Sequence, residues 1–500
     1  MDLREELSGC RMTMPLIQKE ISVDISEEVT LPDYLPEIRK VLYVKESPLS
    51  PARFIGGKKA DVSGVVDYTL VYVSGEGLLS SAPISAEYSY SLPLENIGDF
   101  EISEGLSVMA HTLPDVSSVR LIAPRRLQIK SRLRSFVSVW GKMLCSERIV
   151  GDGDGAGLER LRKTVSNAEI LCESSDMITL EDEYILPSAE TRIVSAESAV
   201  SLKEASAEED LITLGGEVVI RLLVDDRGRL ERVVRRLPFE AETELDAIEL
   251  GGDQSCSASG YLTDLSIKVE EGSAKIEASL MLEVCLAYNR ETAYTSDAYS
   301  TERKCRSESK VLDIPTVILN ENLPLSLNER VTLEELGIPE EAELADISAY
   351  AMIDSASLED GKYVLRGSCR YFLVFTRDRE YAYADLRLPI RYECDKATDL
   401  GEISSFDVLA EVISCKGRAD RDSVSLESEL LLAVTLLGSE RAELLERAEL
   451  GEPLEKRRGV FAVCYPSPDD TLWSVSKRYA VDQSSISGDP QTDRFVMIEM

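Results

Sequence analysis

The chain has 500 residues, 55 basic against 91 acidic, and its formal charge of −36 opposes binding to nucleic acid or anionic lipid through the overall field. At 44% apolar and 29% charged it has the balance of a folded chain, and its length calls for three or four domains. One histidine, His111, excludes three-histidine zinc sites and leaves a single carrier for imidazole acid–base chemistry.

Read in order, the start Met1-Asp2-Leu3-Arg4-Glu5-Glu6-Leu7 carries charge where a signal peptide needs an apolar core. A soluble protein made in the cytoplasm is expected, with no membrane insertion. The ten cysteines include no Cys-x-x-Cys pair and read as buried free thiols in a reducing compartment. Pro32 and the early acidic residues of Leu31–Leu42 predict a short helix with Ile38, Val41 and Leu42 towards a core.

The strand Gly64-Val65-Val66-Asp67-Tyr68-Thr69-Leu70-Val71-Tyr72 then places apolar residues at alternate positions. Equivalent strands begin at Gly216 and Gly367, about 150 residues apart each time. Each runs into a hairpin turn (74–77, 225–228, 376–379) and a return strand ending near Leu92-Pro93, Leu237-Pro238 or Leu388-Pro389. A second recurrent strand covers 129–139, 276–286 and 426–436. It carries a small residue at Ser131, Ala278 and Ser428, which predicts close packing against a neighbouring strand.

Between the copies, Gly151–Gly157 reads as a flexible joint leading to a short helix over 158–168, and 301–309 joins copies two and three. Arg441–Leu450 reads as a helix stopped by Gly451 and Pro453, with Glu455–Gly459 as a charged linker. The last segment predicts a strand ending at Pro466 and Pro468, a helix capped by Asp470 with Leu472, Val475 and Tyr479 on one stripe, and a closing strand over 495–498. Trp473, one of two tryptophans, lies off that stripe, as a contact residue or as a lid on the core.

These elements make a mainly β protein: three repeated antiparallel β-sandwich-like domains followed by a small strand-helix-helix-strand module. The boundaries read as 1–150 (with the short helix), 158–303, 304–450 and 459–500. Chemical motifs are sparse. Position twelve from Asp152 holds Lys163 where a calcium loop needs glutamate, no phosphate-binding glycine loop is present, and the Ser-x-x-Lys matches at Ser307 and Ser474 lack their companion motifs. No catalytic residue, metal or cofactor is expected, and His111 reads as structural.

Met14–Glu20, the Leu31-Pro32-Asp33 segment and the Gly64–Tyr72 strand together resemble the SPOCS domain of spore-coat proteins. The final segment resembles a LysM module: Asp470, Thr471, Leu472 and Trp473 match its Gly-Asp-Thr-Leu-Trp signature, with Asp469 in place of the glycine. The resemblance implies a sporulation protein, a spore-coat morphogenetic scaffold of the mother-cell cytoplasm recruited to the forespore surface. It implies that the LysM-like module binds the coat-basement ATPase, stage IV sporulation protein A, and that the β domains meet other coat proteins. Asp470, Thr471, Leu472, Trp473 and Ile486 are the candidate partner-binding residues, and Trp473→Ala is expected to weaken binding. The alternative is a protein that binds peptidoglycan through N-acetylglucosamine glycans at the cortex or cell wall.

Overall fold

The computed structural model describes residues 4–499 except 57–58, 95–100, 103–105, 152–156, 209–210, 245–254, 271, 395–400 and 456–460. The Asp-Gly run and most of the charged linker lie outside the described residues. The protein is mainly β, with one α-helix among the described residues. Copy one comprises β1 (Arg4–Thr30), β2 (Ile38–Pro48), β3 (Ala52–Gly56), β4 (Lys59–Ser74), β5 (Leu79–Pro93), β6 (Glu101–Ile102), β7 (Ser107–Ala123) and β8 (Arg126–Gly151). Copy two comprises β9 (Leu158–Ser174), β10 (Ile178–Ile185), β11 (Arg192–Glu208), β12 (Leu211–Asp226), β13 (Arg229–Glu244), β14 (Ser255–Glu270) and β15 (Ser273–Ser300). Copy three comprises β16 (Arg303–Thr332), β17 (Glu343–Glu359), β18 (Lys362–Arg377), β19 (Glu380–Cys394), β20 (Ser405–Ala419) and β21 (Ser423–Pro453). The last module comprises β22 (Phe461–Cys464), α1 (Leu472–Tyr479), a 3-10 turn (Gln483–Ser485), β23 (Ile486–Ser487) and β24 (Val496–Glu499).

One plan repeats. A long last strand (β8, β15, β21) pairs antiparallel with the copy's first strand and with the strand just before it. In copy two the first strand is split, so β9 and β10 share β15. The intervening strands form a second sheet centred on β4, β12 or β18. Alternate residues of these central strands face the long ladder: Val66, Tyr68, Leu70 and Tyr72 are buried against Leu127, Ile129 and Leu133. The equivalent cores join Val218–Val224 to Ile276–Leu286, and Cys369–Phe375 to Leu426–Leu436. The recurrent small residue has its reason in this facing sheet. The Tyr68 hydroxyl lies 2.6 Å from Ser131 Oγ, and Ser428 Oγ donates to the Tyr371 hydroxyl at 3.1 Å. Copy two has Ile220 and Ala278 at these places, an apolar pair filling the same gap.

The three helices expected within the copies are replaced by strands and, at 31–37, by a turn. Leu31–Glu37 is a turn, and β2 follows with bulges between Ile38 and Lys40 and between Val41 and Tyr43. Each bulge adds one residue to one strand and breaks the two-residue period. Ile38, Leu42, Tyr43 and Val44 are therefore all buried, a spacing that imitates a helix face. In β21 the partner of Ser309 is Leu445 and that of Glu308 is Arg447, so Glu446 is extra and Leu444 and Leu445 are both buried. Residues 158–168 lie in β9, paired along its length with β15. Of the joint expected at 301–309, only 301–302 form the tight reversal from β15 into β16, and 303–309 lie in β16.

The copies are joined by a short parallel ladder between β8 (148–151) and β21 (447–450) and by side chains. Asn167 Oδ1 accepts from Thr13 N (2.8 Å) while its Nδ2 donates to Thr13 O (2.9 Å), so the carboxamide stands in for a peptide on a strand. Asn322 clasps Ala258, and Asn289 clasps Val317, in the same reciprocal way. Each clasp satisfies backbone groups that a sheet edge would leave unpaired. His111 is structural in this sense: its ring stacks on Phe136 at 5.1 Å and its Nδ1 lies 3.1 Å from Asp407 of copy three. The far ends of the ladders share apolar clusters, with Met12, Val165, Tyr294, Ile314 and Leu444 in one. Between the second sheets Tyr43 stacks on Phe372 (5.1 Å), beside Val71, Leu223 and Val374.

Charge is buried at the same junction. Register makes Lys45, Glu197 and Ser348 equivalent: they pair with Thr69, Arg221 and Phe372, each five residues past the repeat glycine. Glu197 takes Lys45 (3.2 Å) and Arg221 (3.4 Å), and Arg232 pairs with Asp346. Burial pushes Glu46 up to about 7, against Ser131 and Arg370, and pushes Glu411 up to about 7, against Arg221 and Lys45. Burial also opposes the Glu197 carboxylate, but Lys45, Arg221 and Arg232 overcome it and hold Glu197 at about 2.

The signs differ and set a pH optimum. Glu46 and Glu411 bind protons more tightly folded than unfolded, so stability falls as pH rises from about 4.5 to 7, by up to about 3 kcal/mol per group. Glu197 does the reverse, and its contribution is lost as pH falls below about 4.5 towards 2. Urea midpoints are expected to rise from pH 8 to about 5 and then collapse. A profile flat between pH 5 and 8 would refute the buried carboxylic acids, and Glu46→Gln should remove about half of that slope.

Candidate functional site

The C-terminal module is built on the antiparallel order β22-β24-β23. One face of this sheet (Cys464, Ile486, Val496, Ile498) packs on Val475, Leu472 and Tyr479 of α1. The helix starts at a capping box: Thr471 Oγ1 accepts from Ser474 N, and Ser474 Oγ accepts from Thr471 N at 2.9 Å. Thr471, rather than Asp470, is therefore the cap. Asp470 is buried one residue earlier, where its carboxylate accepts from Ser467 N (2.9 Å), Ser474 Oγ (3.1 Å) and Arg478 Nη2 (2.6 Å). The Ser467 amide, then Arg478, hold its pKa below the usual carboxylate value. Ala480, left-handed at φ 54°, ends the helix. In place of a second α-helix the chain makes one 3-10 turn before Ile486.

The five candidate residues occupy different settings. Asp470, Thr471, Leu472 and Trp473 come together at the helix start, and Ile486 lies across the module's core. Thr471 is exposed, Leu472 half-buried in that core, and Asp470 and Ile486 buried.

Trp473 turns off the stripe onto the repeats and is only 8% exposed. Its Nε1 donates to Asp297 (2.9 Å), and its ring meets Tyr299 edge-on at 4.8 Å. Lys477, one turn on, reaches both Asp297 oxygens (2.6 and 2.7 Å) and Ser307 Oγ (2.9 Å), while the Tyr299 hydroxyl donates to Val481 O (2.8 Å). Asp297 sits at the β15 bulge between Thr295 and Asp297, a device that re-aims a side chain. Burial would raise its pKa, but Lys477, Trp473 and Ser307 hold it low. The helix thus docks the module on the β15–β16 reversal.

Among the described residues nothing covers the other face of the module's sheet. Phe461 (64% exposed), Val463 (52%) and Tyr465 (70%) project there, beside Phe495 (48%) and Met497 (44%). Val463 pairs with Met497, and the Tyr465 and Phe495 rings are 6.4 Å apart. Among the described residues, β22 also leaves one edge unpaired in the sheet order. An open group of five large apolar side chains on so small a unit is the chemistry of an interaction surface. Sequence reasoning passed over these residues, although the signal was present. Phe461–Tyr465 is apolar at every position, and in a strand that means both faces need cover.

Among the described residues no group of three or more His, Cys, Asp or Glu side chains is placed to hold a metal, and no helix is long and apolar enough to cross a membrane. No protein-family model matches the chain, no curated protein matches its sequence, and no solved structure matches it.

Proposed function

We propose that this chain is a non-enzymatic scaffold of the spore coat, in which the LysM-like module binds the coat-basement ATPase, stage IV sporulation protein A, and the three β copies form the platform that carries it and meets other coat proteins. The observation that carries the reading is the uncovered apolar face of β22 and β24, on the side of the sheet away from the docked helix. Aromatic and aliphatic side chains gathered around a free strand edge suit a protein partner. In this reading the mother-cell location at the forespore surface follows from the partner. Trp473 and Lys477 act by holding the module in one orientation, which reduces the ordering cost of binding.

The second reading, a peptidoglycan-binding protein, draws on Tyr465 and Phe495. Two exposed rings beside the loops after β22 and before β24 offer stacking faces to a glycan.

The full-length chain, titrated with the purified ATPase and in parallel pelleted with insoluble peptidoglycan, separates the two. Val463→Asp places a charge in the apolar face and is expected to weaken ATPase binding at least tenfold (about 1.4 kcal/mol) with unchanged melting. Trp473→Ala is expected to speed hydrogen exchange across α1 by about tenfold, from loss of a charge-assisted hydrogen bond, with a smaller loss of affinity. Glycan retention abolished by Tyr465→Ala, without ATPase binding, would establish the second reading. If neither ligand bound, both readings would fall.

A further inference from the structure

We propose that Cys10 with Cys145, and Cys172 with Cys285, are two dithiol modification sites, each of which closes into a cross-strand disulfide on meeting a low-molecular-weight disulfide. All ten cysteines are free thiols, four of them buried and six partly exposed. Four of the six exposed ones form two pairs. Cys10 lies directly opposite Cys145 in the β1–β8 ladder, and Cys172 directly opposite Cys285 in the β9–β15 ladder. Directly opposed residues of an antiparallel pair have Cα atoms about 4.5 or 5.5 Å apart, both inside the span a disulfide bridges. The other two partly exposed cysteines have no such partner: Cys256 faces Leu286 and Cys305 faces Leu450.

Access and reactivity follow the same division. Cys10 and Cys145 line a cavity of 240 Å³ with Glu147, Arg160, Arg162 and Tyr294. Cys172 lines a second cavity of 480 Å³, and Cys172 and Cys285 share a small third of 70 Å³. A hydrogen bond from the Cys145 thiol favours the Cys10 thiolate and holds its pKa below the usual thiol value, against burial and Glu147. Cys172 lines both the second and the third cavity and Cys285 only the third, so Cys172 is the sulfur open to the incoming disulfide. Its hydrogen bond with Cys285, together with burial, pushes the Cys285 thiol up.

The reaction is two successive exchanges. The Cys10 thiolate attacks one sulfur of the small disulfide and expels one small thiolate, which takes up a proton. The Cys145 thiolate then attacks Cys10 in the mixed disulfide and expels the second small thiol. Two protein thiols lose two electrons and two protons, and the small disulfide gains them. The Cys172–Cys285 pair reacts in the same way. Both staples tie a copy's first strand to its last, where the three ladders meet.

The test incubates the folded full-length chain with oxidised glutathione and maps peptides without reduction. The expected result is linkage of Cys10 to Cys145 and of Cys172 to Cys285, a mass loss of about 2 Da per pair, an upward shift of several degrees in melting temperature, and reversal by dithiothreitol. Cys10→Ser should abolish only the first linkage and leave a glutathione adduct or a free thiol at Cys145. Stable glutathione adducts on the opposed cysteines of the unsubstituted chain, other pairings, or opposed thiols left unreacted while Cys256 or Cys305 is modified would each overturn the proposal.

Discussion

Replacing Glu197 with glutamine is expected to destabilise the folded chain by about 3 kcal/mol, the low end of what removing one partner from a buried ion cluster costs. The carboxylate is 13% exposed and its two cations, Lys45 and Arg221, are 11% and 6% exposed. They come from three different strands of two copies and have little water to fall back on. Arg221 also donates to the Ile413 carbonyl (2.8 Å) of copy three, so its guanidinium cannot swing out without breaking a second contact between copies. The low-end figure reflects Glu411, whose carboxyl lies near Lys45 and Arg221, is pushed up only to about 7 by burial, and so shares their field with Glu197 at pH 7. The loss is measured by urea unfolding at pH 7. Replacing Lys45, Glu197 and Arg221 together with apolar residues of similar volume should recover most of it, since desolvating the charges is what makes the wild-type cluster costly. If Glu197→Gln alone were neutral, the cluster would be wet and this junction would rest on the apolar contacts around Tyr43 and Phe372.

The repeat was legible because strand alternation survives wherever one face is buried without interruption. Val66, Tyr68, Leu70 and Tyr72, and their counterparts in the other copies, could be placed on a core from period two alone. What failed at 31–42 and 441–450 was local and has one cause. Bulges at Arg39, Leu42 and Glu446 bring consecutive residues to the same side, and an apolar pattern of that kind reads as 3.6-residue periodicity. The candidate site was half legible. The capping sequence at Thr471 and the off-stripe Trp473 pointed to a helix with a second contact. Nothing in the local pattern could say that the contact is Asp297, 176 positions earlier in the chain. The asparagine clasps were invisible for the same reason, because a carboxamide that completes another strand's ladder has no signature in its own neighbourhood.

Gly367→Ala is expected to cost about 3 kcal/mol or more, beyond what loss of chain entropy alone would offset. A Cβ at Gly367 would overlap the Met352 carbonyl oxygen and come within 2.7 Å of Ile353 Cα. These are backbone atoms of the neighbouring strand, at the bulge between Ile353 and Ser355, and cannot rotate aside. The equivalent Gly216 meets the Ser201 carbonyl beside the Leu202–Glu204 bulge, so Gly216→Ala should be nearly as costly. At Gly64 the obstacle is the Tyr88 ring, and β2 ends before a bulge is needed. A side chain can tilt, although Tyr88 would strain its 2.8 Å hydrogen bond to Thr112, and a smaller loss is expected. Gly75, with nothing within 4 Å, should accept alanine without loss. The ranking 367, 216, 64, 75 in unfolding free energy tests the reason the glycine repeats at all. If Gly367→Ala unfolded no more easily than Gly75→Ala, the strand would have room that the bulge geometry denies it, and the repeated glycine would have to be explained by something other than the close approach of the preceding strand.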